Sequence, residues 1–197
     1  MLFVADNRLP WAKKEKASVM RIRRFKQLVD ERATPETVLK VLGKTRWVHF
    51  VCHGKLDEEE PFNSSLMLPG GRLTLLDIAR SQLPNAEFAF LSACHTAGQG
   101  QKYALDEALH LAASMQFCGF RSVVGTMWQL LDRDGPFLAN AVYAYLMRDL
   151  DDGGARFKGG AAAVREAALR LREFGEPDPK SGKLMAERWV NLIHIGA

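Results

Sequence analysis

The chain has 197 residues, 47% of them hydrophobic and 25% charged, with a formal net charge of +4. Those proportions exclude a disordered or low-complexity chain and fit one globular domain spanning residues 1–197, long enough to bury a core. Three cysteines without CxxC spacing argue against a disulfide framework, no stretch approaches the roughly 18 apolar residues of a membrane span, and MLFVADNRLP lacks the order of a secretory signal, so the expected location is cytoplasmic.

Residues 1–5 are apolar and run into the turn-like Asp6-Asn7-Arg8, which predicts a first buried strand. Residues 12–32 set Ala17, Met20, Ile22, Phe25 and Leu28 near the helical period with charges between them, which predicts an amphipathic helix. The basic stretch KKEKASVMRIRRFK (13–26) reads as a solvated helix face in preference to a nucleic-acid patch. Thr34-Pro35-Glu36-Thr37 has the chemistry of a helix start, with Thr as N-cap and Pro at the first helical position. That helix passes through Val38, Leu39 and Leu42 and stops at Gly43.

Residues 47–52 (WVHFVC) read as a central strand. Residues 55–71 form a polar loop with the acidic run 57–60 and a short strand at 66–68; Thr74 then caps a brief helix over 75–80. A second central strand follows at 87–92 and a loop at 98–103. The helix 105–117 places Leu109, Ala112 and Met115 on one face, and residues 121–127 are a further strand. A long helix at 136–150, a glycine-rich turn at 151–160, an alanine-rich helix at 161–174 and a last strand at 189–195 complete the chain. Strands alternating with helices predict an α/β domain whose mostly parallel central sheet has helices on both faces. In such sheets, sites gather at the carboxyl ends of the central strands.

The stretches WVHFVCHG (47–54) and FAFLSACHTAG (88–98) deliver His53 and Cys94 to two such ends. A thiol attacks as thiolate, and a neighbouring imidazole lowers its pKa and later protonates the leaving amine. The oxyanion formed on the attacked carbonyl needs N–H donors, for which the amides of Gly54 and Cys94 are placed, since glycine lets backbone approach closely. The bland readings stand beside this one: Cys94 as a buried structural thiol, His53 as a core histidine bonded to a carbonyl. Cys52 and Cys118 read as small buried hydrophobes, and core packing accounts for His49, on the same strand face as His53. His110 and His194 have no nameable partner, and Trp128 reads first as packing. The pairs Cys52-His53 and Cys94-His95 would hold zinc only by converging tetrahedrally. Adjacent strand residues point to opposite faces, so no metal and no cofactor is expected.

HFVCHG, LSACHTAG, DEALHLAASMQFCGFRSVVGTMWQLLDRDGP and the closing RWVNLIHIGA together resemble the CHAT domain, a caspase-like, separase-related family of cysteine peptidases often joined to tetratricopeptide repeats. The resemblance runs from Phe3 to Gly196 and is weakest over 13–32. It implies a caspase-haemoglobinase-like three-layer sandwich and a cysteine endopeptidase with His53 as general base and Cys94 as nucleophile. It also implies an oxyanion hole from Gly54 and Cys94, and a protein or peptide substrate. Separase-like relatives carry an aspartate after the tryptophan of the next strand that receives a basic P1 side chain. Trp128-Gln129-Leu130-Leu131-Asp132 fits that pattern, making Asp132 the S1 candidate, with Asp6 a second one. The chain departs from the family in carrying His95 where Glu often follows the cysteine. The repeats themselves are not in these residues, so a repeat region or regulatory protein is an expected partner. The alternative kept open is a catalytically silent or partner-activated interaction module on the same fold.

Overall fold

The computed structural model describes all residues but 24, 56, 58, 96–103, 128–129, 132, 149–155 and 178–184, and for 93–95, 104–110 and 156 the description is of the backbone. Two strands occupy the middle of the sheet because their residues are apolar on both faces, as strands covered from both sides require. Strand β3 (Trp47–Lys55) is buried from Trp47 through Cys52. Strand β6 (Phe88–His95) carries Phe88, Ala89, Phe90 and Leu91 at 2% exposure or less.

Around them lie β1 (Leu2–Ala5), β2 (Lys26–Val29), β7 (Ser122–Thr126) and β8 (Leu192–Gly196), in the order β2-β1-β3-β6-β7-β8. The first five of these are parallel and β8 is antiparallel to β7. A hairpin of β4 (Ser65–Leu68) and β5 (Gly71–Thr74) joins the carboxyl end of β3, with His53 opposite Met67. The sheet is therefore mixed and mostly parallel, as the sequence pattern predicts.

Helices α1 (Ala12–Met20), α5 (Asp134–Leu146) and α6 (Gly160–Phe174) cover one face, packing on Phe3, Val51, Phe88, Phe90 and Val124. Helices α2 (Pro35–Leu42), α3 (Leu75–Arg80) and α4 (Ala104–Phe117) cover the other, packing on Leu2, Val4, Val48, Phe50, Leu91 and Val123. Each strand divides its side chains between the two cores by the period of two. The short helix α7 (Ala186–Trp189) leads into β8.

Where local chemistry marks a boundary, the expected and observed elements agree. Thr34 Oγ1 accepts from the Thr37 N–H at 3.2 Å ahead of Pro35 at the start of α2. Thr74 and Asp77 form a capping box on α3, with the Asp77 N–H on Thr74 Oγ1 at 3.0 Å and the Thr74 N–H on Asp77 Oδ2 at 3.1 Å. A cap of this kind stabilises by about 1 kcal/mol. Gly43 does end α2, though with a φ of −57° it closes the turn right-handed and not as a left-handed cap.

The single helix expected over 12–32 is wrong. Helix α1 ends at Met20, and Lys26–Val29 forms β2 along the outer edge of β1, followed by a 3-10 turn at Asp30–Arg32. Every residue of β1 is fully buried, so both of its edges need backbone partners. Pairing with β2 supplies the second set, and it buries Phe25, Leu28 and Val29 at 6–7% exposure. Other differences are smaller. β5 runs from Gly71, the last residue of the expected loop, to the helix cap Thr74, where the sequence predicts no strand; Trp189 belongs to α7, and α5 begins at Asp134 and not at Pro136. The loop expected at 98–103 and the first half of the turn at 151–160 lie outside the described residues.

Candidate active site

The register between β3 and β6 decides what the two strand ends hold. His49 lies opposite Phe90, Val51 opposite Ser92, His53 opposite Cys94 and Gly54 opposite His95. His53 and Cys94, separated in sequence by the β4–β5 hairpin and α3, are thus direct neighbours across parallel strands, whose axes stand about 4.8 Å apart. Gly54 is buried in the same ladder, with Leu66 of β4 on its other side. The residues expected to form the dyad and the oxyanion hole are brought to one sheet end. Asp132 lies outside the described residues.

Asp6 follows β1 directly. Its N–H donates to the Val51 carbonyl at 2.9 Å, which carries the chain onto the same sheet end as His53. The carboxylate is 5% exposed and is forked by Arg8, with Nε 2.8 Å from Oδ1 and Nη2 2.7 Å from Oδ2. The Arg8 hydrogen bonds hold the Asp6 carboxyl below the usual carboxylate range; burial opposes them, and the nearby His53 adds a smaller push the same way. A carboxyl with a depressed folded-state pKa contributes stability that is present above its ordinary pKa of about 3.9 and is lost as pH falls through the folded value. Asp6→Asn is therefore expected to unfold at a lower urea midpoint than the parent at neutral pH, with the difference closing on acidification below about pH 4. An equal difference at both pH values would remove the ionic reading of this contact.

The other cysteines do not compete for this chemistry. Cys52 is fully buried among Val48, Phe50 and Leu66. Cys118 places Sγ 3.4 Å from the Leu75 carbonyl, and burial pushes its thiol up to about 11. A thiol so placed stays protonated at neutral pH and is a poor nucleophile. His194 has a partner that the sequence does not disclose, with Nε2 2.8 Å from Ser122 Oγ, and burial lowers its pKa.

Sequence reasoning missed a buried polar group behind the His53–Cys94 pair. His49 does more than pack. Its Nε2 lies 2.9 Å from Glu15 Oε1, its Nδ1 3.2 Å from the Tyr143 hydroxyl, and its ring is stacked between Phe3 and Phe90. Ser92 Oγ donates to Glu15 Oε2 at 3.0 Å. All four residues are at most 1% exposed. Burial and then the Glu15 charge push the Tyr143 phenol well above its ordinary pKa, so it remains an O–H donor. The only signal available in sequence was a polar histidine inside an apolar strand. Glu15 sits in the charged run Lys13-Lys14-Glu15-Lys16 and looks like any solvated helix residue.

The CHAT domain model matches residues 2–197. No curated protein matches the chain. Among solved structures, the chain is similar to the Arg specific cysteine proteinase gingipain R, at 11% identity and a TM-score of 0.54, over 97% of this chain and 44% of that one. The chain thus spans less than half of that protein's length, and at this identity the likeness is one of fold: an α/β caspase-haemoglobinase-type sandwich. No helix among the described residues is long and apolar enough to cross a membrane. The family match covers essentially the whole chain, and the chain belongs to that family, the CHAT domain family.

Proposed function

We propose that this chain is a cysteine endopeptidase that cleaves a protein substrate with a His53–Cys94 dyad, after a basic residue. The observation that carries the reading is the pairing of His53 with Cys94 across the carboxyl ends of adjacent parallel strands in a CHAT-family chain. His53 takes the Cys94 proton, and the thiolate attacks the scissile carbonyl carbon. The Gly54 and Cys94 amides receive the oxyanion. The imidazolium returns its proton to the leaving amine, and a water activated by the same imidazole hydrolyses the thioester.

The basic P1 residue is supported by a carboxylate at the site, Asp6, already engaged with a guanidinium. Asp132 is retained as the other S1 candidate, and the Arg specificity named for the structurally similar proteinase agrees. The same contact favours a second reading, a partner-activated module. Arg8 belongs to this chain, so an incoming basic side chain must displace it from Asp6. Arg8 is 73% exposed along its side chain, which leaves it free to swing away when a partner or substrate supplies a better arrangement.

The test is mass-spectrometric mapping of labelling by an arginyl electrophilic peptide probe, with an aspartyl probe beside it. The expected result is modification of Cys94 by the arginyl probe, with Cys52 and Cys118 untouched. Preference for the aspartyl probe would keep the peptidase and discard the basic P1. Failure of both probes to single out Cys94 would shift the reading to the non-catalytic module.

A further inference from the structure

The two ladders that hold β6 end at different places. Pairing with β7 runs from Phe88↔Ser122 to Leu91↔Gly125, whereas pairing with β3 continues to Gly54↔His95. The segment from Ser92 to His95, which carries Cys94, therefore continues in the β3 ladder past the last β7 pair. At the first residue of that segment a side chain adds a contact. Ser92 Oγ donates to Glu15 Oε2, and the other oxygen of the same carboxylate meets His49 Nε2 on β3. On the other side of the ring, His49 Nδ1 lies 3.2 Å from the Tyr143 hydroxyl on α5. One carboxylate on α1 thus spans the strand that carries His53 and the strand that carries Cys94.

The seat of this carboxylate is tightly built. A Cβ on Gly135, in the first turn of α5, would come within 3.2 Å of Glu15 Oε2. Helices α1 and α5 are themselves tied, by Ser18 Oγ to the Pro136 carbonyl at 2.9 Å and by Asn140 Nδ2 to the Ser18 carbonyl at 3.2 Å. An ionisable side chain with no exposure is costly to bury, and an apolar replacement of similar volume is often neutral or stabilising. What such a group supplies in return is a fixed geometry.

We propose that Glu15 and Ser92 are positioning residues: the Glu15 carboxylate braces the carboxyl end of β6 against β3 through Ser92 and His49, and so helps to set the distance between Cys94 and His53. This rests on the dyad reading above. Thiolate formation at Cys94 depends on a well-placed imidazole, so loosening the brace separates the pair and weakens the nucleophile. Displacement of a reacting group by about 1 Å costs up to roughly 100-fold in rate, and loss of one anchoring hydroxyl is expected to cost about tenfold.

The experiment is the pH dependence of Cys94 alkylation by iodoacetamide in the whole chain, read by mass spectrometry, for the parent, Ser92→Ala and Glu15→Gln. Ser92→Ala removes a single oxygen and keeps the strand; Glu15→Gln keeps the shape but not the charge. The parent is expected to show an inflection well below the free-thiol value of about 8.5, and Ser92→Ala to move it toward that value with a roughly tenfold slower rate at neutral pH. A low inflection in the parent that Ser92→Ala leaves unmoved, in folded protein, overturns the brace while the dyad stands. An ordinary thiol profile in the parent removes the dyad and the brace with it.

Discussion

Cys94→Ala is expected to abolish peptide turnover while leaving the fold intact. Removing a nucleophile that works as a unit with its base lowers kcat by on the order of 10⁶-fold, and the remainder comes from binding and the oxyanion donors. Nothing in the ladder depends on the sulfur, because β6 is held at Cys94 by its backbone register with His53. Substrate affinity should survive, since Gly54 and the Asp6 carboxylate near His53 are unchanged. The check is cleavage of an arginyl peptide substrate by parent and variant, alongside thermal unfolding of both. Retained cleavage by the variant would sink the dyad. His53→Ala should produce a loss of similar size, because base and nucleophile fail together.

Arg188→Ala is expected to cost about 3–5 kcal/mol of folding stability. Arg188 on α7 meets Asp134 at the start of α5 as a fork, with Nε on Oδ2 and Nη2 on Oδ1, both at 2.7 Å. Their side chains are only 7% and 3% exposed. Removing the guanidinium leaves the Asp134 carboxylate buried and without that counter-charge, although the N-terminus of α5 offsets part of the cost. This is a large fraction of the roughly 5–15 kcal/mol that holds a typical protein folded. Replacing both partners by apolar residues, as in Asp134→Leu with Arg188→Met, should be far milder than either single change, because no charge is then stranded. Denaturant unfolding of the single and double variants measures this. A loss under about 1 kcal/mol for Arg188→Ala would mean that the pair behaves as a solvated surface contact. The pair also clips α7, and with it the start of β8, onto α5, so loosening in that variant should begin at the β8 edge of the sheet.

Elements whose causes are local were legible in the amino-acid order. Thr34-Pro35 and Thr74-x-x-Asp77 specify helix starts because a side-chain oxygen meets an N–H three residues away, and nothing distant is needed. Long apolar runs at 47–52 and 87–92 specify central strands because only a strand covered on both faces suits them. With those strands and their small-residue ends in place, His53, Gly54 and Cys94 could be named as candidates beside the structural readings of the same residues. The family motifs then carried the same reading across the chain.

Tertiary structure decided what depends on partners far away in the chain. Residues 26–29 have helix-compatible spacing, yet they form β2 because a fully buried β1 needs a second hydrogen-bonding edge. The sequence offers Asp6 only as a second S1 candidate in the turn after the first strand; packing places it near His53 with Arg8 across its carboxylate. Glu15 reads as solvent-facing, because helical periodicity reports the average polarity of a face and not the one charge that a facing histidine can satisfy. His49 and Glu15 are 34 residues apart, and Ser92 and Glu15 are 77 apart. Pairing at such separations is set by how α1 docks across β3 and β6, which no local pattern encodes.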